Sequence, residues 1–290
     1  MKKSLLTTGL NGLVGSKFRD LYADTYEYGS LDISNPDQPV DITDASQVVT
    51  AFKNSSADSV IHLAAYTDVT GAWEQRNDKN GIAYKVNVTG TENIITACRE
   101  TGKHLIHVST AFVFDGNKEG LYTEEDPMNP IEWYGQTKAW AEEAVQQSDI
   151  DWTILRIDFP FRSDPSPRPD IVRKTLAAIE KGYPLFSNHY FGPTFIDDFA
   201  KILDWSVRTR TPGLFHASSG EKWSDYQLGL ALKEQFHLET DIKDGNLDDY
   251  LKTLNRPYQR NTAMDCSKLK SQLEFSLTPV SQALSQVHLS

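Results

Sequence analysis

The chain has 290 residues, 39% of them hydrophobic, a mean hydropathy of -0.47 and a formal charge of -11. That length supports one large domain or two lobes with a sizeable core, and the acidic balance argues against the broad basic surface that nonspecific nucleic-acid binding needs. No apolar run approaches bilayer length, and Met1-Lys2-Lys3 leads into only a few apolar residues before Asn11, so neither a membrane span nor a secretory signal is expected.

Along the chain, a short strand over 4–8 runs into TTGLNGLVGS, where Gly9, Gly12 and Gly15 stand three apart. A helix is expected over 12–22, with Val14, Phe18 and Leu21 on its apolar side. Glycine tolerates positive φ and removes the side chain that would keep a pyrophosphate off the backbone, while the free N–H groups of a helix start hold such an anion. A plain glycine-rich turn is the alternative reading. Further strands are expected over 59–64, 104–109 and 153–157, and helices over 45–54, 83–101 and 134–147. Fully apolar strand centres such as Val60-Ile61 call for an α/β fold with a parallel sheet covered on both faces, whose ligands gather at the carboxyl ends of its strands.

The strand over 104–109 leads into Ser109-Thr110, and a hydroxyl there can bond a substrate carbonyl or simply begin a turn. In WYGQTKAWAEEA, Tyr134 and Lys138 are four apart and share a helix face. An ammonium beside a phenol favours the phenolate, which suits general acid catalysis on a carbonyl; an exposed helix face is the alternative. Past Ile157 the prolines Pro160, Pro165, Pro167 and Pro169 punctuate a loop holding Arg162 and Arg168, before helical patterns return over 224–236 and 280–287. The two cysteines, Cys98 and Cys266, have no metal-like spacing and read as free thiols of a reducing, cytoplasmic compartment.

Glycine turn, strand-end hydroxyl, then Tyr and Lys on a helix: this order resembles the extended short-chain dehydrogenase/reductase family, nearest its dTDP-4-dehydrorhamnose reductase branch. HLAAYTDV is similar to that branch's fourth-strand motif, STAFVFDG to its STDYVFDG, YGQTKAWAE to its YGxTKxxGE, ILRIDFPF to its ILRTSWVY, and FGPTFIDDFA to its GxPTxxxDLA. LFHASSGEKWSDYQLG and NRPYQRNTAMDCSKL extend the likeness to near the end. The resemblance implies a Rossmann-type doubly wound parallel sheet over 1–157, completed by part of 194–216, and a smaller C-terminal substrate lobe drawn mainly from 158–290.

It further implies that Gly9, Leu10, Asn11, Gly12, Leu13 and Gly15 hold the pyrophosphate of NAD or NADP. Asp32, at the end of the second strand, would take a free 2′-hydroxyl and repel a 2′-phosphate, which favours NADH, unless it is a plain loop carboxylate. Asp41 and Ile42 would flank the adenine, Ala64, Ala65 and Tyr66 would line the cofactor's middle, and Asn87 would stand near the proton path or merely bond backbone. Thr110 would polarise the substrate carbonyl, Tyr134 would protonate its oxygen, and Lys138 would lower the tyrosine pKa and bind the nicotinamide ribose. Arg156, Thr194, Arg256 and Arg260 are the remaining substrate candidates, against which stand an internal ion pair for Arg156, turn shaping for Thr194 and plain solvation for the other two.

The chain departs from the family where Ala111 and Phe112 replace Asp and Tyr, and where TGAWEQRNDKNG replaces an acidic stretch linked to metal-dependent pairing, so no metal is expected. Trp133 and Trp140 flank the Tyr-Lys pair. The implied activity is NAD(P)H-dependent reduction of the 4-keto group of a nucleotide-linked deoxysugar. A nucleotide-sugar epimerase or dehydratase and a noncatalytic cofactor-binding regulatory subunit are the rivals. The implied partners are a nucleotide sugar and, as an assembly the family allows, a second copy of the chain.

Overall fold

Leu5-Leu6, Val60-Ile61, Leu105-Ile106 and Ile154-Leu155 are all at or below 3% exposure. Adjacent strand residues face opposite ways, so each pair demands cover on both sides of the sheet. The computed structural model, which describes residues 1–35, 38–166 and 168–289, meets that demand. Strands β1 (Lys3–Thr8), β2 (Tyr26–Leu31), β3 (Ser59–His62), β4 (His104–Thr110) and β5 (Trp152–Ile157) are joined by Gly213–His216 in one parallel sheet. Their order across the sheet is Gly213–His216, β5, β4, β3, β1, β2. From β1 the chain moves out to β2 and then returns to the other side of β1 as β3, and this reversal opens a crevice at the carboxyl ends of β1 and β3.

One face is closed by Phe18 of helix Leu13–Leu21 with Phe199, Leu203 and Trp205 of helix Ile196–Thr209. The other is closed by Val48 and Phe52 of helix Ala45–Lys53 with Ile94, Ile95 and Cys98 of helix Gly90–Thr101. The helix expected over 83–101 contains a π turn, Lys85–Thr89, between Ile82–Tyr84 and Gly90–Thr101. Such turns occur often at functional sites, and this one carries Asn87.

A separate apolar cluster forms in the last third, where Phe161, Phe191 and Phe195 meet Leu228, Leu232, Val280 and Leu284. Two short pairings frame it: Pro160–Phe161 with Thr194–Phe195, and Tyr190–Phe191 with Trp223–Ser224. Of the punctuating prolines, Pro167 lies outside the described residues. Arg162 fastens this segment to the first helix, donating to Ser16 Oγ at 2.8 Å and Leu13 O at 3.3 Å. Among the described residues no helix is long and apolar enough to cross a membrane.

Candidate active site

The three glycines differ in what they do. Gly9 has φ +66°, and a Cβ there would lie 2.7 Å from Ala64 N; a Cβ on Gly15 would lie 2.6 Å from Gly9 O. Both therefore hold the turn tight against β3 and against itself. Gly12 has an ordinary φ of -74°, and a Cβ there would meet only Gly9 O at 3.1 Å. No side chain caps the helix that Gly12 begins. Its first-turn N–H groups have no side-chain partner and the space at Gly12 is otherwise open, which fits a dinucleotide pyrophosphate.

The neighbouring candidates separate into two sets. Asn11 is exposed and donates to Ser34 Oγ at 3.3 Å, while Ser34 N and Oγ donate to Asp32 Oδ1 at 3.0 and 2.8 Å. Asp32 is thus held in a local turn beside the glycines. Asp41 is exposed and accepts from Thr43 N at 2.9 Å. Leu10 and Ile42 turn inward, at 4% and 6% exposure, so their side chains belong to the core and only their backbone faces a ligand. Leu13 is half-buried beside Gly12, and Ala64, Ala65 and Tyr66 are half-buried where they follow β3. That strand ends at His62, short of the expected 64, because Leu63 N and Ala64 N donate to Thr8 Oγ1 at 3.1 and 3.0 Å.

A buried polar chain runs inward from that point. Thr8 Oγ1, accepting both amides, donates to His62 Nδ1 at 2.7 Å; His62 Nε2 reaches Thr91 Oγ1 at 3.0 Å, which donates to Asn87 O at 2.7 Å. Asn87 is 1% exposed. Its Oδ1 accepts from Tyr66 N at 2.7 Å, and its Nδ2 donates to Tyr66 O at 3.2 Å and Thr137 Oγ1 at 2.9 Å. Asn87 therefore braces the Tyr66 backbone against the helix Trp133–Gln146.

Thr110, Tyr134 and Lys138 come together at the carboxyl end of β4, and all three are buried. The Thr110 hydroxyl, which accepts from Phe112 N at 3.2 Å, acts on the Tyr134 phenol. Burial pushes the phenol pKa above its ordinary value, Thr110 draws it back, and the charges of Glu132 and Asp158 raise it. Lys138 does not act on the phenol as expected, because its Nζ donates to Val108 O at 3.0 Å and His107 Nε2 at 3.3 Å. Burial brings the lysine down to about 8, opposed by Glu142.

Two substrate candidates are placed elsewhere. Arg156 is 2% exposed and binds Glu142 through Nε and Nη2, at 3.0, 3.1 and 2.6 Å, so it is the internal ion pair. Thr194 Oγ1 accepts from Asp158 N at 3.0 Å and donates to Asp158 O at 2.7 Å, locking the turn onto the end of β5. Arg256 lies 4.9 Å over the Tyr258 ring and its charge reaches Glu132, whereas Arg260 pairs with Asp248 at the surface. Phe112 packs on Tyr134 and on Phe159, each with ring centroids 5.8 Å apart.

Glu132, His107 and Asp158 escape the sequence reading. Glu132 caps the helix by accepting from Tyr134 N and Gly135 N, both at 2.7 Å, and burial pushes its carboxyl up to about 7. Its position two residues before the tyrosine was the available signal, as was a histidine inside an apolar strand for His107.

A family model, the RmlD substrate binding domain, matches residues 1–289. The probable low-salt glycan biosynthesis reductase Agl14 of Haloferax volcanii is 31% identical over 283 residues, 93% of this chain and 92% of that protein. A dTDP-4-dehydrorhamnose reductase of Mycobacterium tuberculosis is 30% identical over 239 residues, 80% of this chain and 75% of its own. The solved dTDP-4-dehydrorhamnose reductase of Bacillus anthracis, in complex with NADP, has a TM-score of 0.87 and 21% identity, covering 99% of this chain and 98% of its own. With a match running from the glycine turn to the last helix, the chain belongs to the RmlD substrate binding domain family.

Proposed function

We propose that the protein is an NAD(P)H-dependent reductase of the 4-keto group of a nucleotide-linked deoxysugar, with dTDP-4-dehydrorhamnose as the substrate of first choice. The observation that carries this reading is the meeting of Thr110 with Tyr134 at the end of β4, with Lys138 one helical turn on and the glycine turn two strands away. Residues 1–157 with 194–216 would form the nucleotide lobe, and the rest of 158–290 the sugar-binding lobe. Gly9, Gly12, Gly15, Asn11 and Asp32 would hold the cofactor, with Asp32 favouring NADH. The two thiols, both buried, are in keeping with a cytoplasmic setting, and a homodimer is the assembly to test first.

Reduced nicotinamide, when bound, would supply the hydride, hydrogen and electron pair together, that the carbonyl carbon takes up. The Thr110 hydroxyl donates to the carbonyl oxygen and draws charge onto it. The Tyr134 phenol, kept protonated by its burial, gives its proton to that oxygen as the alcohol forms. Lys138, whose Nζ is turned to Val108 O and His107 Nε2, would serve the nicotinamide ribose rather than the phenol.

The test offers dTDP-4-dehydrorhamnose with NADH or NADPH and follows both cofactor oxidation and the sugar product. Cofactor-coupled formation of dTDP-rhamnose is expected, with kcat reduced by about 10²–10⁴ in Tyr134→Phe while cofactor binding is kept. Unchanged turnover in that variant would remove the tyrosine from the mechanism. Tight cofactor binding without turnover of any keto sugar would favour the regulatory reading.

A further inference from the structure

Among the described residues, Trp133 Nε1, Asp158 Oδ1, His189 Nε2, Arg256 Nε and Gln259 Oε1 are buried without a hydrogen-bond partner. Buried polar atoms are almost always satisfied, so a group of them gathered at one place marks a position that something else completes. Four of them gather: Glu132 feels both Arg256 and Gln259, His189 lies 5.1 Å from the Tyr258 ring under Arg256, and Phe159, next to Asp158, packs on His189 at 5.7 Å. The Asp158 carboxyl lies within electrostatic range of both Tyr134 and Tyr258.

Asp158 is the most informative of the set. It is 1% exposed and stands at the end of β5, where the family motif ILRTSWVY carries a serine. Its Oδ2 is fully engaged, accepting from Gly192 N and Thr262 Oγ1, both at 2.8 Å. Oδ1 has no donor. The next residue, Phe159, is held at φ +34°, a left-handed conformation in which a bulky side chain is strained. That backbone places the Phe159 ring 5.8 Å from Phe112, which itself packs on Tyr134. A carboxyl group anchored by one oxygen and free at the other, within electrostatic reach of the proton donor, suits a ligand hydroxyl better than a fold contact.

We propose that Asp158 Oδ1 accepts a hydrogen bond from a sugar hydroxyl near the carbonyl that Tyr134 protonates, making Asp158 a residue that selects the sugar in this chain. The inference rests on the keto-sugar reading above. Asp158→Asn separates this role from a structural one, because the amide oxygen still accepts from Gly192 and Thr262 while an N–H₂ group replaces Oδ1.

The experiment uses the 4-keto nucleotide sugar that the wild-type protein turns over, together with its reduced product and the free nucleoside diphosphate. Asp158→Asn is expected to lose tenfold to a hundredfold in kcat/KM and in product affinity, the loss of one buried hydrogen bond. It should bind the free nucleoside diphosphate and NADPH as the wild type does, with an unchanged melting temperature. Wild-type kinetics in Asp158→Asn, or equal weakening toward product and free nucleoside diphosphate, overturns the proposal. Wild-type protein inert toward every 4-keto nucleotide sugar overturns the reductase reading and this proposal together. Asp158→Ser, which matches the family residue, is expected to reproduce the selective loss.

Discussion

Replacing Glu142 by Gln should destabilise the protein strongly while leaving substrate binding alone. The carboxylate has 0% side-chain exposure and the Arg156 guanidinium 2%, and the three N–O distances between them run from 2.6 to 3.1 Å. The other groups beside the guanidinium carry no compensating charge: the Phe114 ring lies 5.0 Å away and His216 Nε2 3.4 Å away. Burial and Arg156 itself hold His216 down at about 3, so it stays neutral. Removing one partner of a buried pair costs about 3–5 kcal/mol, since the other charge is left unanswered. At about 2.1 cal/mol/K per residue, a chain of 290 residues has an unfolding entropy of about 0.6 kcal/mol/K. The melting temperature should therefore fall by about 5–8 °C. Calorimetry gives that shift, and assays run below the lowered transition at saturating cofactor should return KM within about twofold of wild type, because the Arg156 charge enclosed by the fold contributes nothing to substrate binding. A shift below about 2 °C would show that the pair is not needed. A large rise in KM with the transition unmoved would return Arg156 to the substrate site and refute the reasoning. Replacing both partners with Leu and Met should recover much of the stability, since no charge is then stranded.

The glycine turn predicts a contrast between two neighbours. Gly9→Ala forces a side chain into φ +66° and against Ala64 N at 2.7 Å, so it should lower stability by about 1–3 kcal/mol or more and abolish cofactor binding. Gly12→Ala meets only Gly9 O at 3.1 Å and should melt within about 1 °C of wild type while binding NADPH at least about tenfold more weakly by fluorescence titration. Equal affinity in Gly12→Ala would move the pyrophosphate away from this turn. Acid should also weaken the fold. Burial holds His62 and His216 down at about 3, His104 at about 4 and His107 well below 6.5, so the unfolded chain binds these four protons first as pH falls through 6.5. Glu132, raised to about 7, and Asp158, also raised, act the other way, since their protons are bound first in the folded state. The four histidines outnumber the two carboxyls, so stability should fall as pH goes from 7.5 to 5.5, which urea unfolding measures. Stability that is flat or rising over that range would contradict the buried, neutral state of these histidines.

How much of this was legible beforehand depended on distance along the chain. Elements whose pattern is local were readable: the apolar pairs of β1, β3, β4 and β5 announced covered strands, and the spacing of Tyr134 and Lys138 put both on one helix face. The glycine turn was readable in kind, though only the fold shows that Gly9 and Gly15 serve close packing whereas Gly12 keeps a space open. Roles that depend on partners far away were not. Arg156 and Glu142 are 14 residues apart, and the arginine's membership in a substrate-like motif says nothing about which carboxylate it faces. Lys138 was expected to act on the phenol four residues back, yet its ammonium turns to a strand 30 residues earlier, where Val108 O and His107 offer acceptors. Asp158 shows the same limit from the other side. Its neighbours Gly192 and Thr262 are 34 and 104 residues away, so nothing local distinguishes it from a loop carboxylate. Only their convergence leaves one oxygen anchored and the other without a donor. In this chain the glycine turn and the Tyr134–Lys138 helix are written in short-range pattern, while the surroundings of Asp158 are assembled from segments that meet only after folding. Differences in sugar preference among relatives should accordingly track such assembled positions, 158 and 112 here, rather than the glycine, Thr110, Tyr134 and Lys138 motifs from which the family is recognised.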